Sequence, residues 1–400
     1  VLTLRRQLPV FSPVRFSSLL TGALGALGAG RPRELLEALL SEHFGADEVL
    51  LVDSGTSALR LALEAAVEAA PASLPGHDVL LLPAYCCYDI ATAAVGAGAR
   101  VRLYDLDPAT LGPDWTSLEA GLRKGAAAVV AVHLFGVPVD IERCARLATP
   151  ADALLVEDAA QGFGGYLAGR PLGGTGSLGV LSFGRGKGVT GGAGGALIAN
   201  DARGRRALEG IRARSLRSTR GWSELVRLAA QWLLGRPSVY GVPAALPWFG
   251  LGATRYHRPW APRGIGKGPA AAVVRNWRSS LEEAAKRRER VARLADLGAI
   301  DVAGALEVGA CLLRLPVTPS EDRDEESIAR AATEGIVRAY PKPLAALPVA
   351  SSWELPPGGC PGAAYLAERL HTAPIHSRSH PERVRRALEE ATDELARGPA

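Results

Sequence analysis

Residues 181–195 read L-S-F-G-R-G-K-G-V-T-G-G-A-G-G and set one lysine, Lys187, among seven glycines. The 400-residue chain has only four other lysines, Lys124, Lys267, Lys286 and Lys342; its remaining strong bases are arginines. An amine can give up its proton and a guanidinium cannot. An apolar, strand-like run ending at Ser182 and Phe183 leads into Lys187. The glycines beyond it allow the backbone to pass close to another object. A lysine at such a strand exit can form a Schiff base with a carbonyl compound. Read alone, the stretch is also an ordinary glycine-rich surface loop with a solvated lysine, so its surroundings decide.

Upstream of it, apolar strand-like runs alternate with helical patterns. Strands are expected at 48–53, 78–83, 101–104, 127–132 and 153–157, with helices from Ser54 to about residue 69, at 89–95, after Trp115 and at 141–147. Strands at 180–183 and 196–199 complete the set. This alternation predicts an α/β fold with a mostly parallel sheet sandwiched by helices. Ligands of such sheets bind beyond the carboxyl ends of the strands. Ser54-Gly55-Thr56-Ser57, Asp158 and Lys187 all fall there.

The flanks are less regular. Residues 1–30 read as an extended lead-in, followed by a helix at 33–43. Residues 203–260 begin with seven arginines between Arg203 and Arg220 along one expected helix, continue through W-S-E-L-V-R-L-A-A-Q-W-L-L, and run through a proline-punctuated segment to Trp248. A long helix, about 270–297, leads to a strand near 311–315, a helix near 326–334 and an end helix after Pro381. The expected division is a large domain, 1–260, and a smaller C-terminal α+β domain, 261–400, that includes the connecting helix.

Composition narrows the class. At 48% hydrophobic residues the chain can bury a sizeable core. Its net charge of +5 favours anionic ligands without indicating nucleic acid. The five cysteines lack zinc spacing and suit a reducing compartment, so no metal site is expected. With no run of 18 apolar residues and no signal-peptide pattern, a cytoplasmic location is expected.

Ser54 to Ser57 join a strand end to a helix start, where free backbone N–H groups and the positive end of the helix dipole suit a phosphate. The same residues also form an ordinary N-cap. Asp158 follows a hydrophobic strand, where a carboxylate requires a cation or donors. A pyridinium nitrogen is one such partner, a helix cap or an arginine another. Phosphate cup, carboxylate and Schiff-base lysine together are the groups that pyridoxal phosphate requires.

Their order resembles the fold-type I enzymes that use this cofactor. The wording S-G-T-S-A-L, V-H-L-F-G-V-P-V-D, E-D-A-A-Q and S-F-x-x-x-K-x-x-T-G-G-x-G-G resembles the DegT/StrS-type sugar aminotransferases over about residues 45–200. The likeness continues faintly at Glu334-Gly335-Ile336 and Pro374-Ile375-His376. The resemblance implies that Lys187 holds the cofactor and then moves the proton between substrate and cofactor carbons. It implies that Asp158 keeps the pyridine nitrogen protonated, that Gln161 lies against the ring, and that Ser182 with Gly55, Thr56 and Ser57 holds the phosphate. His133 matches a position at the site's edge and reads equally as a packed strand-end histidine. An amino-acid donor, expected to be glutamate, a nucleotide-linked keto-sugar acceptor and a homodimer follow from the same resemblance.

Three departures stand out. Where the family has a ring-stacking aromatic, this chain has Pro83-Ala84-Tyr85-Cys86-Cys87-Tyr88, with Cys87 at the aromatic position and Tyr85 or Tyr88 as substitutes. Gly184 and Gly188 replace polar residues beside the lysine. Gly252-Ala253-Thr254-Arg255-Tyr256 stands in place of a segment that reaches the neighbouring subunit's phosphate. Residues 203–260 admit three readings: a dimer interface, a diphosphate site using Arg212 and Arg214, or a membrane-surface helix meeting a lipid-linked sugar. Another pyridoxal-phosphate reaction, such as sugar deoxygenation, is opposed by Lys187, since the resembling deoxygenating enzymes carry histidine there. A DNA-binding regulator is opposed by the lack of a helix-turn-helix signature.

Overall fold

The computed structural model describes residues 6–393 apart from 215, 237, 242–254 and 320–324. In chain order come α1 (Phe16–Leu27), α2 (Pro32–Phe44), β1 (Glu48–Val52), α3 (Gly55–Ala69), β2 (Val79–Pro83), α4 (Asp89–Ala97) and β3 (Arg100–Tyr104). They are followed by α5 (Trp115–Arg123), β4 (Ala128–Val132), α6 (Ile141–Ala148), β5 (Leu154–Asp158), a ribbon of β6 (Tyr166–Leu167) and β7 (Arg170–Pro171), β8 (Leu178–Ser182) and β9 (Gly195–Ala199). The strand sequences explain the layering. Val79–Pro83, Ala128–Val132 and Leu154–Asp158 are buried at every position, as befits strands covered on both faces. Of the helices between them, α5 and α6 start on side-chain caps: Asp114 accepts from Ser117 N at 2.7 Å and Asp140 from Arg143 N at 2.8 Å.

The seven strands lie in the order β1-β9-β8-β5-β4-β2-β3. The neighbours β3, β2, β4, β5 and β8 are parallel, while β9 runs antiparallel to both β8 and β1. β1 therefore points the same way as the parallel set. The carboxyl ends of β1, β2, β4, β5 and β8 share one edge of the sheet, and the expected mostly parallel α/β architecture is what forms.

Beyond β9 come α7 (Ala202–Arg212), α8 (Trp222–Leu234) and the long helix Lys267–Ala292. A second sheet, antiparallel in the order β10-β12-β11, joins β10 (Leu315–Val317), β12 (His371–Ala373) and β11 (Val337–Arg338). Helices Val302–Glu307, Glu325–Thr333, Pro361–Arg369 and Pro381–Asp393 accompany it.

Several expectations need correcting. The lead-in is not extended throughout, because residues 16–27 form α1, whose Gly22 and Gly25 are buried against the long helix and α8. The strand expected near 311–315 starts only at Leu315. The residues before it dock on the large sheet instead, with Leu313 N donating to Phe135 O at 2.7 Å. The arginines from 203 to 220 do not share one helix: α7 ends at Arg212, and the chain then pairs with residues 263–268 through Gly264 N to Arg217 O and Gly268 N to Arg220 O, both 3.0 Å. Trp248 and residues 252–254 lie outside the described residues.

Candidate active site

The site is built on the strand-end edge of the large sheet. Asp158 ends β5, and Ser182 ends β8. Lys187 sits half-buried in the loop between β8 and β9, where its carbonyl accepts from Ser12 Oγ of the lead-in at 2.6 Å. Most of the loop's glycines face protein. A Cβ at Gly191 would lie 2.5 Å from Pro269 O, so glycine there lets the loop press on the long helix.

The first turn of α3 closes one side. Ser54 caps it by accepting from Ser57 N at 3.0 Å, which leaves the N–H groups of Gly55 and Thr56 without intrahelical acceptors. A Cβ at Gly55 would meet the Ser182 Cβ at 2.6 Å and its Oγ at 2.8 Å. The glycine thus brings the helix start and the Ser182 hydroxyl together into one cluster of donors. Ser57's hydroxyl lies 3.0 Å from Ser54 Oγ and serves the cap.

Asp158 is buried, and its Oδ1 accepts from Ala160 N at 2.9 Å. Desolvation raises its pKa, and the Ala160 N–H and the Lys187 charge only partly offset this. Such a carboxylate gains from a cation placed against it. Its neighbour Glu157, equally buried, is in the opposite condition. It accepts from Gly173 N, Thr175 N and Gly176 N at 2.7–2.8 Å and meets His133 Nε2 at 2.9 Å. Desolvation pushes it upward, but the His133 bond and the backbone donors outweigh this and leave it below the usual carboxylate value. His133 Nδ1 accepts from Val139 N at 3.0 Å, so the ring proton resides on Nε2 and is given to Glu157. His133 is fully buried, the packed strand-end histidine of its two readings.

Gln161 accepts from Phe135 N at 3.2 Å and donates to the Tyr340 hydroxyl at 2.9 Å. Tyr340 was not singled out in the sequence, although an aromatic just before Pro341 in A-Y-P-K-P is held away from helix. It stacks on Phe135 with ring centroids 5.7 Å apart. Tyr85 and Tyr88 are both buried, and their hydroxyls are taken up within the protein. Tyr85 is fully buried, with its hydroxyl accepting from Tyr340 N at 3.0 Å, and the Tyr88 hydroxyl accepts from Lys342 N at 2.9 Å. Cys87 is the half-exposed member of that turn, near the charges of Lys187 and Asp158. Burial, with Asp89 adding to it, pushes its thiol up to about 12, so it stays protonated.

Arg212 and Arg214 are not brought to this edge. Arg212 lies 3.5 Å from Glu48, at the opposite end of β1 from Ser54, and Arg214 pairs with Glu64 and Glu68 further along α3. These are exposed ion pairs, worth about 0–1 kcal/mol each.

The fold and the strand-edge site together define a class: the α/β transferases of fold type I, whose sites are made for pyridoxal phosphate. Within that class the chain belongs to the DegT/DnrJ/EryC1/StrS aminotransferase family, whose pattern matches residues 20–232. It is 35% identical over 160 residues to an L-glutamine:2-deoxy-scyllo-inosose aminotransferase of Streptoalloteichus tenebrarius, over 40% of this chain and 36% of that one. It is 31% identical over 165 residues to the GDP-perosamine synthase of Caulobacter vibrioides, over 41% and 43%. The matches thus span well under half the length of these relatives. Among solved structures, the E. coli GDP-4-keto-6-deoxy-D-mannose-3-dehydratase with bound hydrated PLP has the same fold, with a TM-score of 0.71 at 16% identity, over 97% of this chain and all of that one. Among the described residues no helix is long and apolar enough to cross a membrane.

Proposed function

We propose that this protein is a pyridoxal-phosphate-dependent aminotransferase that moves an amino group from an amino acid to the keto group of a sugar-like ring. One observation carries the reading. The desolvated Asp158, the Lys187 loop, the Ser182 hydroxyl and the first turn of α3 at Gly55 and Thr56 converge on one edge of the sheet. These residues fit the cofactor: two backbone donors and a hydroxyl for its phosphate, a carboxylate for its ring nitrogen, an amine for its aldehyde. When bound, pyridoxal phosphate supplies an electron sink. Lys187 takes the proton from the substrate carbon and returns it one atom away. Asp158 keeps the ring nitrogen protonated, and Gln161, locked between Phe135 and Tyr340, supports the ring's edge. Cys87, rather than a tyrosine, borders the ring.

The donor is glutamate or glutamine; the first is expected from the family resemblance, the second enters from the Streptoalloteichus relative's name. The acceptor is a nucleotide-linked keto-sugar. The same relative's name supports a second reading, a free keto-cyclitol. A dehydratase on this fold keeps deoxygenation in view, and Lys187 speaks against it. A homodimer and a division into residues 1–260 and 261–400 complete the proposal.

Adding L-glutamate or L-glutamine to the cofactor-loaded protein should shift its visible absorbance. Borohydride reduction should fix the cofactor to the peptide containing Lys187. Lys187→Ala should bind the cofactor without that covalent link and lose turnover; full activity in the variant would sink the reading.

A further inference from the structure

The loop that carries Lys187 is closed at its base by its own residues and held from outside at two points. Phe183 O, where the loop starts, accepts from Thr190 Oγ1 at 3.0 Å and from Gly191 N at 3.1 Å. Gly192 N donates back to Thr190 Oγ1 at 3.0 Å. Between these ends lie Gly184, Gly186 and Gly188, whose backbones favour no single conformation by themselves. One outside hold is Ser12 Oγ on the Lys187 carbonyl. The other is Asn276 of the long helix, whose Nδ2 donates to Thr190 O at 2.9 Å.

Asn276 runs against the ordinary logic of a core. It is fully buried in a stretch where Ala272, Val273 and Trp277 are buried too, and both its partners, Ser18 and Thr190, are fully buried as well. A buried amide costs free energy unless it is paired, and a leucine fills a similar volume without that cost. The two ends of the amide serve different elements. Oδ1 accepts from the Ser18 hydroxyl of α1, which leaves Nδ2 for the Thr190 carbonyl, a group that can only accept. Pro269, Val273 and Asn276 share one face of the long helix. A Cβ at Gly191 would lie 2.5 Å from Pro269 O and 2.8 Å from Val273 Cγ2, so the loop already presses on that face where Asn276 takes hold. Thr190 is in turn only three residues from Lys187.

We propose that Asn276 is a positioning residue for Lys187: through the Thr190 carbonyl it fixes the loop so that the lysine amine is presented to the aldehyde of the cofactor. The proposal rests on the reading of Lys187 given above. Asn276 acts only through the backbone of residues 187–190, so its loss should weaken what the lysine does and leave the phosphate cluster and Asp158 as they are.

The test uses Asn276→Leu in the full chain, confirmed as folded by its melting transition. The double variant Ser18→Ala, Asn276→Leu, which leaves no hydroxyl without its acceptor, takes its place if the single one does not fold. Two probes separate the lysine from the rest of the site. Deoxypyridoxine phosphate keeps the phosphate and ring nitrogen of the cofactor and has a methyl group in place of the aldehyde, so calorimetry with it reports the site without the lysine bond. Pyridoxal phosphate also bonds to Lys187, and its visible absorbance and borohydride fixing report that bond. Covalent attachment should weaken about tenfold, as for the loss of one hydrogen bond, while deoxypyridoxine phosphate binds within about twofold of the native protein. Equal loss of both probes would show that Asn276 merely supports the fold, and no loss of either would show that the loop needs no such hold; each outcome overturns the proposal. Failure of the cofactor reading would show separately, as a native protein that binds neither probe. Hydrogen exchange of the cofactor-free protein then decides: the Gly191 and Gly192 amides should exchange about tenfold faster in the variant, and unchanged exchange there overturns the hold.

Discussion

Glu157 and Asp158 are adjacent carboxylates on one strand, and their surroundings set them opposite tasks. Glu157 has four donors and Asp158 one; the first holds structure, and the second is the carboxylate proposed to face the cofactor's ring nitrogen. Asp158→Asn should leave the melting temperature nearly unchanged and slow amino transfer by orders of magnitude, as for other electrostatic catalytic groups. A drop below about threefold in stopped-flow absorbance would count against the pairing. Glu157→Gln should act on stability instead, at about 2–4 kcal/mol, because an amide offers an N–H where donors already point. With its pKa lowered in the folded state, Glu157 stabilises the fold above the unfolded carboxylate value and loses that contribution as pH falls through the folded one. The gap in melting temperature between native protein and Glu157→Gln should therefore be wide at pH 7 and narrow in strong acid. Asp158 stood out in the sequence at the end of an apolar run, and Lys187 in the glycine-rich stretch just past another. The task of Glu157 was not legible there, since three of its partners are backbone N–H groups of a later loop. Tyr340 was also missed; it stands just past β11 of the second sheet while its partners Gln161, Phe135 and Tyr85 belong to the large sheet, and no spacing in the sequence brings the two regions together.

At the scale of elements, the alternation of the first two hundred residues was readable because buried parallel strands are continuous apolar runs. α1 was not, because glycines and serines mark loops when read locally, and here packing against the long helix overrides that preference. α1 carries no charge at all, and Phe16, Leu20, Leu24 and Leu27 on its outer face are exposed. Beside it, α8 exposes Trp222, Val226 and Leu233, while Leu225 and Leu228 are buried. Trp232, which the sequence placed among the interface candidates, is taken up within the chain: its ring lies 5.8 Å from that of Phe16, and Arg236 stands 4.7 Å over it. The outer ridge is thus the better test of the proposed homodimer. Leu24→Glu, which alters only the exposed face, should convert dimers to monomers in sedimentation velocity with little change in melting temperature. A dimer that persists in Leu24→Glu, together with salt-reversible binding of the native protein to anionic liposomes, would favour the membrane-surface reading instead.

Across the whole molecule, the lead-in joins the two sheets to the reactive loop. Gln7 N donates to Thr333 O at 2.9 Å, His376 Nε2 donates to Leu8 O at 2.8 Å, and Ser12 Oγ holds the Lys187 carbonyl. His376 is buried, and its Nδ1 accepts from Arg378 N at 3.2 Å, so the ring is neutral with its proton on Nε2. Desolvation pulls its pKa down to about 4; the bond to Leu8 opposes this, and the charges of Arg287, Arg290 and Arg378 reinforce it. The group facing it from the lead-in is the Phe11 ring, 5.8 Å away and itself covered by Arg378, so no anion from that side shelters a charged imidazole. Glu283 is occupied by Ser377. A histidine with a depressed folded pKa stabilises the fold fully above its unfolded value, near 6.5. It loses that contribution as pH falls toward 4, on the order of 3 kcal/mol in all. The window lies above the carboxylate range in which Glu157 acts, so the two can be separated. Native protein should melt several degrees lower at pH 5 than at pH 7. His376→Gln keeps an N–H for Leu8 and cannot be protonated, so its melting temperature should fall much less over the same interval. Hydrogen exchange adds the spatial part of the argument: between pH 7 and pH 5, corrected for intrinsic rates, protection should decline first at Gln7, the lead-in amide bound to Thr333. Equal acid sensitivity of native protein and His376→Gln would show that another group sets the loss.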